Sequence, residues 1–139
     1  MDGQTQKKTV LIVEDDSFLS DMYQTKFSVS GYNVLLAQNG MQCLELLRNN
    51  TSAPDIALLD VVMPKMDGLE LLELLKKDDR TKNIPIILLT NLGQDKDVKK
   101  GMEMGADMYL IKAHYTPSQV VEKVEEILNN KSEARNPKS

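Results

Sequence analysis

Thr9-Val10-Leu11-Ile12-Val13-Glu14-Asp15-Asp16 decides the fold: an apolar, β-branched run of strand length stops against three acids, and a helical pattern begins at once. Phe18, Leu19, Met22, Tyr23 and Phe27 recur at i, i+1, i+4, i+5 and i+9, one stripe of a helix that Gly31 terminates. Working outward, the same unit repeats. Further strand-like runs cover Asn33 to Ala37, Asp55 to Leu59, Pro85 to Thr90 and Met108 to Ile111. Met41, Cys43, Leu44 and Leu47 predict a second helix, stopped by Asn49-Asn50 with Thr51, Ser52 and Pro54. Leu69, Leu71, Leu72, Leu74 and Leu75 predict a broadly buried third helix capped by Asp67. A fourth, from about Gln94 to Met104, carries Val98, Met102 and little else apolar, so it is expected to be the least firmly packed. Pro117 opens the fifth, and Val120, Val121, Val124, Ile127 and Leu128 continue it until Asn129-Asn130 ends the pattern.

Five alternating strand–helix units call for right-handed crossovers onto a parallel sheet, and strands as apolar as LIV, IALL and IILL suit a sheet covered on both faces. The expected fold class is α/β: a doubly wound five-stranded parallel sheet, (βα)5 and flavodoxin-like, with strand order 2-1-3-4-5. Residues 1–8 read as an N-terminal extension, 9–130 as the domain and 131–139 as a polar tail that frays. In this order the ligand crevice opens beyond the carboxyl ends of strands 1 and 3, where the winding reverses.

Composition narrows the classes. The 139 residues suit one domain, and 41% hydrophobic with 27% charged residues fits neither a disordered chain nor a membrane-embedded one. The longest apolar runs, such as Ile56 to Leu59, fall far short of the roughly 18 residues that span a bilayer. The start lacks the features of a secretory signal, so a cytoplasmic location is expected. One cysteine, Cys43, excludes an internal disulfide, and with one histidine, His114, there is no zinc cluster. Cys43 reads as a small apolar residue of a helix face and His114 as a surface loop residue. A net charge of −4 and a pI near 5.0, with no basic stripe, argue against direct nucleic-acid binding. A protein or an activated phosphate donor is the expected partner.

Every candidate functional residue stands at a strand end. Strand 1 runs into Glu14-Asp15-Asp16, strand 3 into Asp60, strand 4 into Thr90 and strand 5 into Lys112. Three or more carboxylates at one crevice repel unless one is protonated or a cation joins them. All-oxygen ligation without His or Cys selects Mg²⁺ or a similar hard ion, which binds through one or two carboxylates plus phosphate. Lys112 adds a positive charge and Thr90 a hydroxyl, and phosphoryl chemistry follows as the leading reading. Taken singly, each residue has a plainer explanation. Acids at a helix N-terminus serve capping and the dipole as readily as a metal, and Asp16 reads as a cap alone. Asp60 alone fits a turn acid, Thr90 a strand-end hydroxyl, Lys112 a solvated charge and Tyr109 a packed strand aromatic.

Together, VEDD at Val13 to Asp16, LLDVVMP at Leu58 to Pro64, ILLT at Ile87 to Thr90 and YLIK at Tyr109 to Lys112 resemble the receiver domain of two-component response regulators, over roughly Lys8 to Asn130. The likeness is to the stand-alone, single-domain type, because the residues after the fifth helix are too few to fold as an effector; a fragment of something longer reads the same way. The resemblance implies that Asp60 is the phosphoacceptor, attacking a phosphohistidine or small phosphodonor. It implies that Asp15 binds Mg²⁺ directly, Glu14 through water, and the Val62 backbone carbonyl beside the Asp60 carboxylate. Lys112 would pair with a phosphoryl oxygen. Thr90 would move toward the phosphoryl group and Tyr109 swing into the vacated space, changing the surface of helix 4, strand 5 and helix 5. The implied partners are a histidine kinase or histidine phosphotransfer protein upstream and an effector protein downstream, with a phosphorylation-dependent homodimer as a further use of that surface. Such a domain is a signalling switch that catalyses only its own phosphorylation and dephosphorylation.

Three departures from the family pattern qualify this. Ala113 follows Lys112 where proline is usual; a cis bond there would cost roughly 3–4 kcal/mol, so either the loop is trans or the fold sustains strain. Asn91 follows Thr90 where a small residue is usual, which narrows access. Val62 and Leu92 stand where polar side chains help to orient attacking water, so a long-lived phosphoryl group is expected. The competing class is a binding module that keeps the fold but signals without phosphorylation. An aspartate-nucleophile phosphatase would want an acid where Val62 stands; a flavin carrier or dinucleotide binder would want a glycine- or hydroxyl-rich loop after strand 1.

Overall fold

The computed structural model describes residues 7–50 and 52–134. Five strands, β1 (Thr9–Val13), β2 (Asn33–Ala37), β3 (Ile56–Asp60), β4 (Ile86–Thr90) and β5 (Met108–Ile111), alternate with helices α1 (Ser17–Val29), α2 (Gly40–Asn49), α3 (Gly68–Lys77), α4 (Asp95–Glu103) and α5 (Pro117–Ala134). The sheet is parallel in the order β2-β1-β3-β4-β5, as the alternation of elements predicts. Among the described residues, no helix is long and apolar enough to cross a membrane.

Side-chain alternation along each strand divides the core into two layers. Leu11, Val13, Ala57, Leu59, Ile86 and Leu88 pack with Cys43 and Leu47 of α2 and with Leu71, Leu72 and Leu75 of α3. Val10, Ile12, Ile56, Leu58, Ile87, Leu89 and Leu110 pack on the other side, against Tyr23 and Phe27 of α1 and Val120, Val121, Val124 and Ile127 of α5. The interior strands β3 and β4 are buried at every position.

Local signals set most boundaries. Asp16 caps α1 by accepting from the N–H groups of Phe18 and Leu19. At the other end Gly31 takes φ +96°, the Gly31 N–H bonds Ser28 O and the Tyr32 N–H bonds Phe27 O, which is a Schellman motif. Its usual hydrophobic contact is present as an edge-on pair of the Phe27 and Tyr32 rings, 5.3 Å between centroids. Asp67 and Glu70 form a reciprocal capping box on α3. Within α4, Gly101 is the buried residue, in keeping with the thin apolar pattern there.

The structure corrects four expectations. Phe18 and Met22 lie off the buried stripe of α1, Phe18 being 72% exposed, and the inward stripe is Ser20, Tyr23 and Phe27. Met41 and Leu74 are likewise exposed on their helices. Strands β3 and β4 begin one residue later than predicted: the Asp55 carboxylate accepts from the Thr9 N–H, and Pro85 has no N–H to give a ladder. Finally, α5 runs past Asn129-Asn130 to Ala134, because two asparagines lower helix propensity without removing a backbone donor. Of the predicted N-terminal extension and polar tail, residues 1–6 and 135–139 lie outside the described residues.

Candidate functional site

Alternation also aims the site. Val10 and Ile12 face the α1/α5 layer, and the Glu14 N–H continues the ladder to Ala37 O at 3.0 Å, so the Glu14 side chain follows on that side. Ile56 and Leu58 do the same for Asp60. Lys112 opens a short 3₁₀ turn, Lys112–His114, directly after β5. These three side chains converge: Lys112 Nζ lies 2.9 Å from Glu14 Oε1 and 3.0 Å from Asp60 Oδ2. The bond between Lys112 and Ala113 is trans, and the lysine still reaches both carboxylates.

The pocket is largely shut off from water. Glu14 is fully buried and Asp60 only 2% exposed, while Asp15 stands exposed at its rim. Glu14 Oε2 accepts from the Asp16 N–H, and Asp60 Oδ1 accepts from the Val62 N–H at 3.3 Å. The Lys112 contact to Glu14 Oε1 is an ion pair without hydrogen-bond alignment, so that buried oxygen has no hydrogen-bond partner. Burial, and after it the neighbouring Glu14 carboxylate, push the Asp60 carboxyl up to about 8 despite the opposing pull of Lys112. Burial lowers the Lys112 ammonium, but Glu14 and Asp60 outweigh it and leave the group above its ordinary value.

One carboxyl oxygen each from Glu14, Asp15 and Asp60 lies within 4.8 Å of the others. An all-oxygen set of this kind, with a buried acid already pushed toward its neutral form, suits a hard divalent cation such as Mg²⁺. Asp16 is absorbed by its capping bonds.

The shift on Asp60 carries a stability consequence in metal-free protein. Its folded value lies above the unfolded ~3.9, so the native state holds the extra proton and stability falls as pH rises from about 4 to about 8. Asp60→Asn removes that penalty. In EDTA, urea unfolding should show the variant on the order of a few kcal/mol more stable than the parent at pH 8, with the gap shrinking toward pH 5. A gap independent of pH would trace the effect to something other than this carboxyl.

Thr90 ends β4 one residue beyond Leu89, the register partner of Asp60. It is fully buried, and its hydroxyl has no hydrogen-bond partner. It lines a cavity of about 320 Å³ with Asn91, Gln94, Val98, Met102 and Tyr109. Tyr109 is 44% exposed, so an unpartnered hydroxyl and an outward tyrosine share one space beneath α4. Val62 and Leu92 are both exposed, as apolar residues beside the strand ends. Cys43 is buried in the core, where burial pushes its thiol up to about 12. His114 lies exposed in the 3₁₀ turn.

One residue packed against the site was not singled out in the sequence. A Cβ on Gly68 would collide with the backbone carbonyl of Asp60 and with Val61 Cα, while the Gly68 N–H bonds Val61 O at 2.8 Å. The first turn of α3 is thus pressed against the backbone that carries Asp60. The available signal was a glycine directly after the cap Asp67, a position where helix propensity gives no reason for one.

Comparison with known proteins agrees with this geometry. Residues 10–125 match the response regulator receiver domain family. The chain is 36% identical over 121 residues to the phosphate regulon transcriptional regulatory protein PhoB of Pseudomonas aeruginosa, covering 87% of this chain and 52% of that one. It is 38% identical over 103 residues to the DNA-binding dual master transcriptional regulator RpaA of Synechocystis, covering 74% of this chain and 42% of that one. The chain therefore spans about half the length of such relatives. Among solved structures, a CheY-like response regulator receiver domain protein from Methanospirillum hungatei superposes with TM-score 0.84 at 28% identity, covering 93% of this chain and 99% of that one. A response regulator receiver domain from Francisella gives TM-score 0.79 at 28% identity, covering 90% and 99%.

Proposed function

The chain belongs to the response regulator receiver domain family, and we propose that it is a phosphorylation-dependent switch of a two-component phosphorelay with Asp60 as its phosphoacceptor. The observation that carries this reading is the pocket itself: a buried carboxylate held against Lys112, with Glu14 and Asp15 within reach of one cation. Glu14, Asp15, Asp60 and the Val62 backbone carbonyl would hold Mg²⁺. Bound there, Mg²⁺ would offset the charge of the carboxylates and of the incoming phosphoryl oxygens.

An Asp60 carboxylate oxygen attacks the phosphorus of a phosphohistidine or a small phosphodonor. The new O–P bond forms as the P–N or P–O bond to the donor breaks, and the leaving group takes the electron pair and then a proton. Lys112, released from part of its ion pairing, neutralises a phosphoryl oxygen. The unpartnered Thr90 hydroxyl donates to another, and the space beneath α4 opens to Tyr109. Phosphorylation adds about −1.5 to −2 charges, enough to shift an equilibrium between states a few kcal/mol apart. The altered surface of α4, β5 and α5 then controls an effector protein or a homodimer, with a histidine kinase or phosphotransfer protein as donor.

Incubation with Mg²⁺ and acetyl phosphate or phosphoramidate should add one phosphoryl group, about 80 Da by intact mass. The gain should vanish with EDTA or in Asp60→Asn; no gain from several donors would favour a binding module that signals without phosphorylation. The apolar Val62 and Leu92 give attacking water no polar anchor, so the phosphoryl group should be long-lived. Decay within seconds, unaltered by Val62→Asn with Leu92→Glu, would exclude that.

A further inference from the structure

The start of α4 is built differently from the starts of α2, α3 and α5. Asp67 and Glu70 exchange both bonds of a capping box on α3, Thr116 and Gln119 do the same at the start of α5, and Asn39 Oδ1 accepts from the Gln42 N–H on α2. By contrast α4 begins at Asp95, and Gln94 at its cap position gives it no side-chain bond. The parts of a box stand one turn earlier. Asn91-Leu92-Gly93-Gln94 repeats the Asn-x-x-Gln spacing of Asn39 and Gln42, and half of the box is already made, since the Asn91 N–H donates to Gln94 Oε1 at 2.8 Å. The return bond from the Gln94 N–H to Asn91 Oδ1 is not formed. Gly93 prevents it: at φ +86° it lies in the left-handed region, which a right-handed helix cannot include. Nothing lies within 4 Å of the place where a Gly93 Cβ would stand, so the backbone conformation and not lack of space calls for the glycine. Asn91 directly follows Thr90, whose buried hydroxyl has no hydrogen-bond partner, and both line the cavity beneath α4 with Gln94 and Tyr109.

We propose that Asn91 and Gln94 are a switchable capping box: when a phosphoryl group on Asp60 draws Thr90 toward it, Gly93 turns to helical angles, Asn91 becomes the cap and α4 grows by Leu92, Gly93 and Gln94. The inference rests on the reading of Asp60 as phosphoacceptor and of Thr90 as the group that moves. Three residues lengthen a helix by about 4.5 Å. The positive end of the helix dipole thereby advances toward the carboxyl end of β4, beside Asp60, as that residue gains about −1.5 to −2 charges, so the phosphoryl group favours the longer helix. The bond already present from the Asn91 N–H to Gln94 belongs to both arrangements, and Gly93 is the hinge between them. Leu92, 66% exposed in the loop, enters the first helical turn, which carries the change to the surface.

Backbone Cα and carbonyl NMR shifts of Leu92, Gly93 and Gln94 are measured in the full chain with Mg²⁺, before and after addition of phosphoramidate, with intact mass to count the phosphoryl groups. The parent's shifts should be non-helical before and helical after. Gly93→Ala disfavours the left-handed turn and favours the helix, so without any donor its helical population over these residues should exceed the parent's by about tenfold. Adding Asn91→Ala to that variant should lower the population about fivefold, and adding Asn91→Ser instead should preserve it, because serine also caps. Circular dichroism checks each variant for folding. Non-helical shifts in a phosphorylated parent overturn the proposal, as does a Gly93→Ala variant that stays non-helical, or one whose helical population Asn91→Ala leaves unaltered. A parent that gains no phosphoryl group by mass overturns the underlying phosphoacceptor reading, and this proposal with it.

Discussion

Lys112→Met should lower the stability of the metal-free protein by about 3–5 kcal/mol at pH 9, the range seen when one partner of a buried ion pair is removed. Lys112 Nζ is the cation that both Glu14 and Asp60 face, at 2.9 and 3.0 Å, and methionine keeps most of the stem while deleting the charge. With it gone, the buried acids are relieved only by taking up a proton. The folded Asp60 carboxyl, already up at about 8 in the parent, therefore rises further, and the variant loses stability relative to the parent as pH rises through about 8 and above. Urea unfolding at pH 7 and pH 9, with EDTA or excess Mg²⁺, separates the terms. The deficit should be smaller at pH 7 than at pH 9, and should shrink with Mg²⁺ at pH 9. A deficit of the same size under all conditions would assign it to packing of the lysine stem.

Gly68→Ala should be the most damaging single methyl group at the site. The added Cβ would overlap the Asp60 carbonyl oxygen and stand 2.9 Å from Val61 Cα and 3.0 Å from the Asp60 carbonyl carbon. All are backbone atoms at the end of an interior strand, so no flexible side chain can give way. The cost should reach about 3 kcal/mol, the upper part of the overpacking range. Because the strain falls on the proposed phosphoacceptor, phosphorylation by a small donor should slow by about 100-fold even at temperatures where the variant is fully folded. Gly40→Ala is the matched control: the atoms nearest its Cβ belong to the Met66 side chain, which can move. Equal behaviour of the two variants would show that backbone contact at Asp60 is not what Gly68 protects.

The sheet was legible because each of its determinants is local. Apolar runs of strand length, helical spacing between them, and stop signals such as Gly31 and the Asp67 cap act within a few residues, and a strictly alternating order leaves few topologies for a parallel sheet. The same locality explains the errors. Hydrophobic spacing put Phe18 and Met22 on the α1 stripe, but α1 starts at Ser17 and turns Ser20, Tyr23 and Phe27 inward. Asn129-Asn130 read as a stop, but α5 continues to Ala134.

For the site, residue types and their places at strand ends are written in the chain, because a doubly wound sheet gathers those ends at one crevice whatever the side chains are. Glu14, Asp15, Asp60, Thr90 and Lys112 could therefore be named as candidates, and Asp16 set aside as a cap. Their energetic state was not. Burial of Glu14 and Asp60, the fork of Lys112 between them, the rise of the Asp60 carboxyl and the unpartnered Thr90 hydroxyl all depend on which atoms lie within a few ångströms across elements far apart in sequence. Gly68 against the Asp60 backbone belongs to the same class. Backbone preferences and hydrophobic pattern act along the chain and can be read there; desolvation, charge pairing and close backbone approach act through space, and only the folded arrangement decides them.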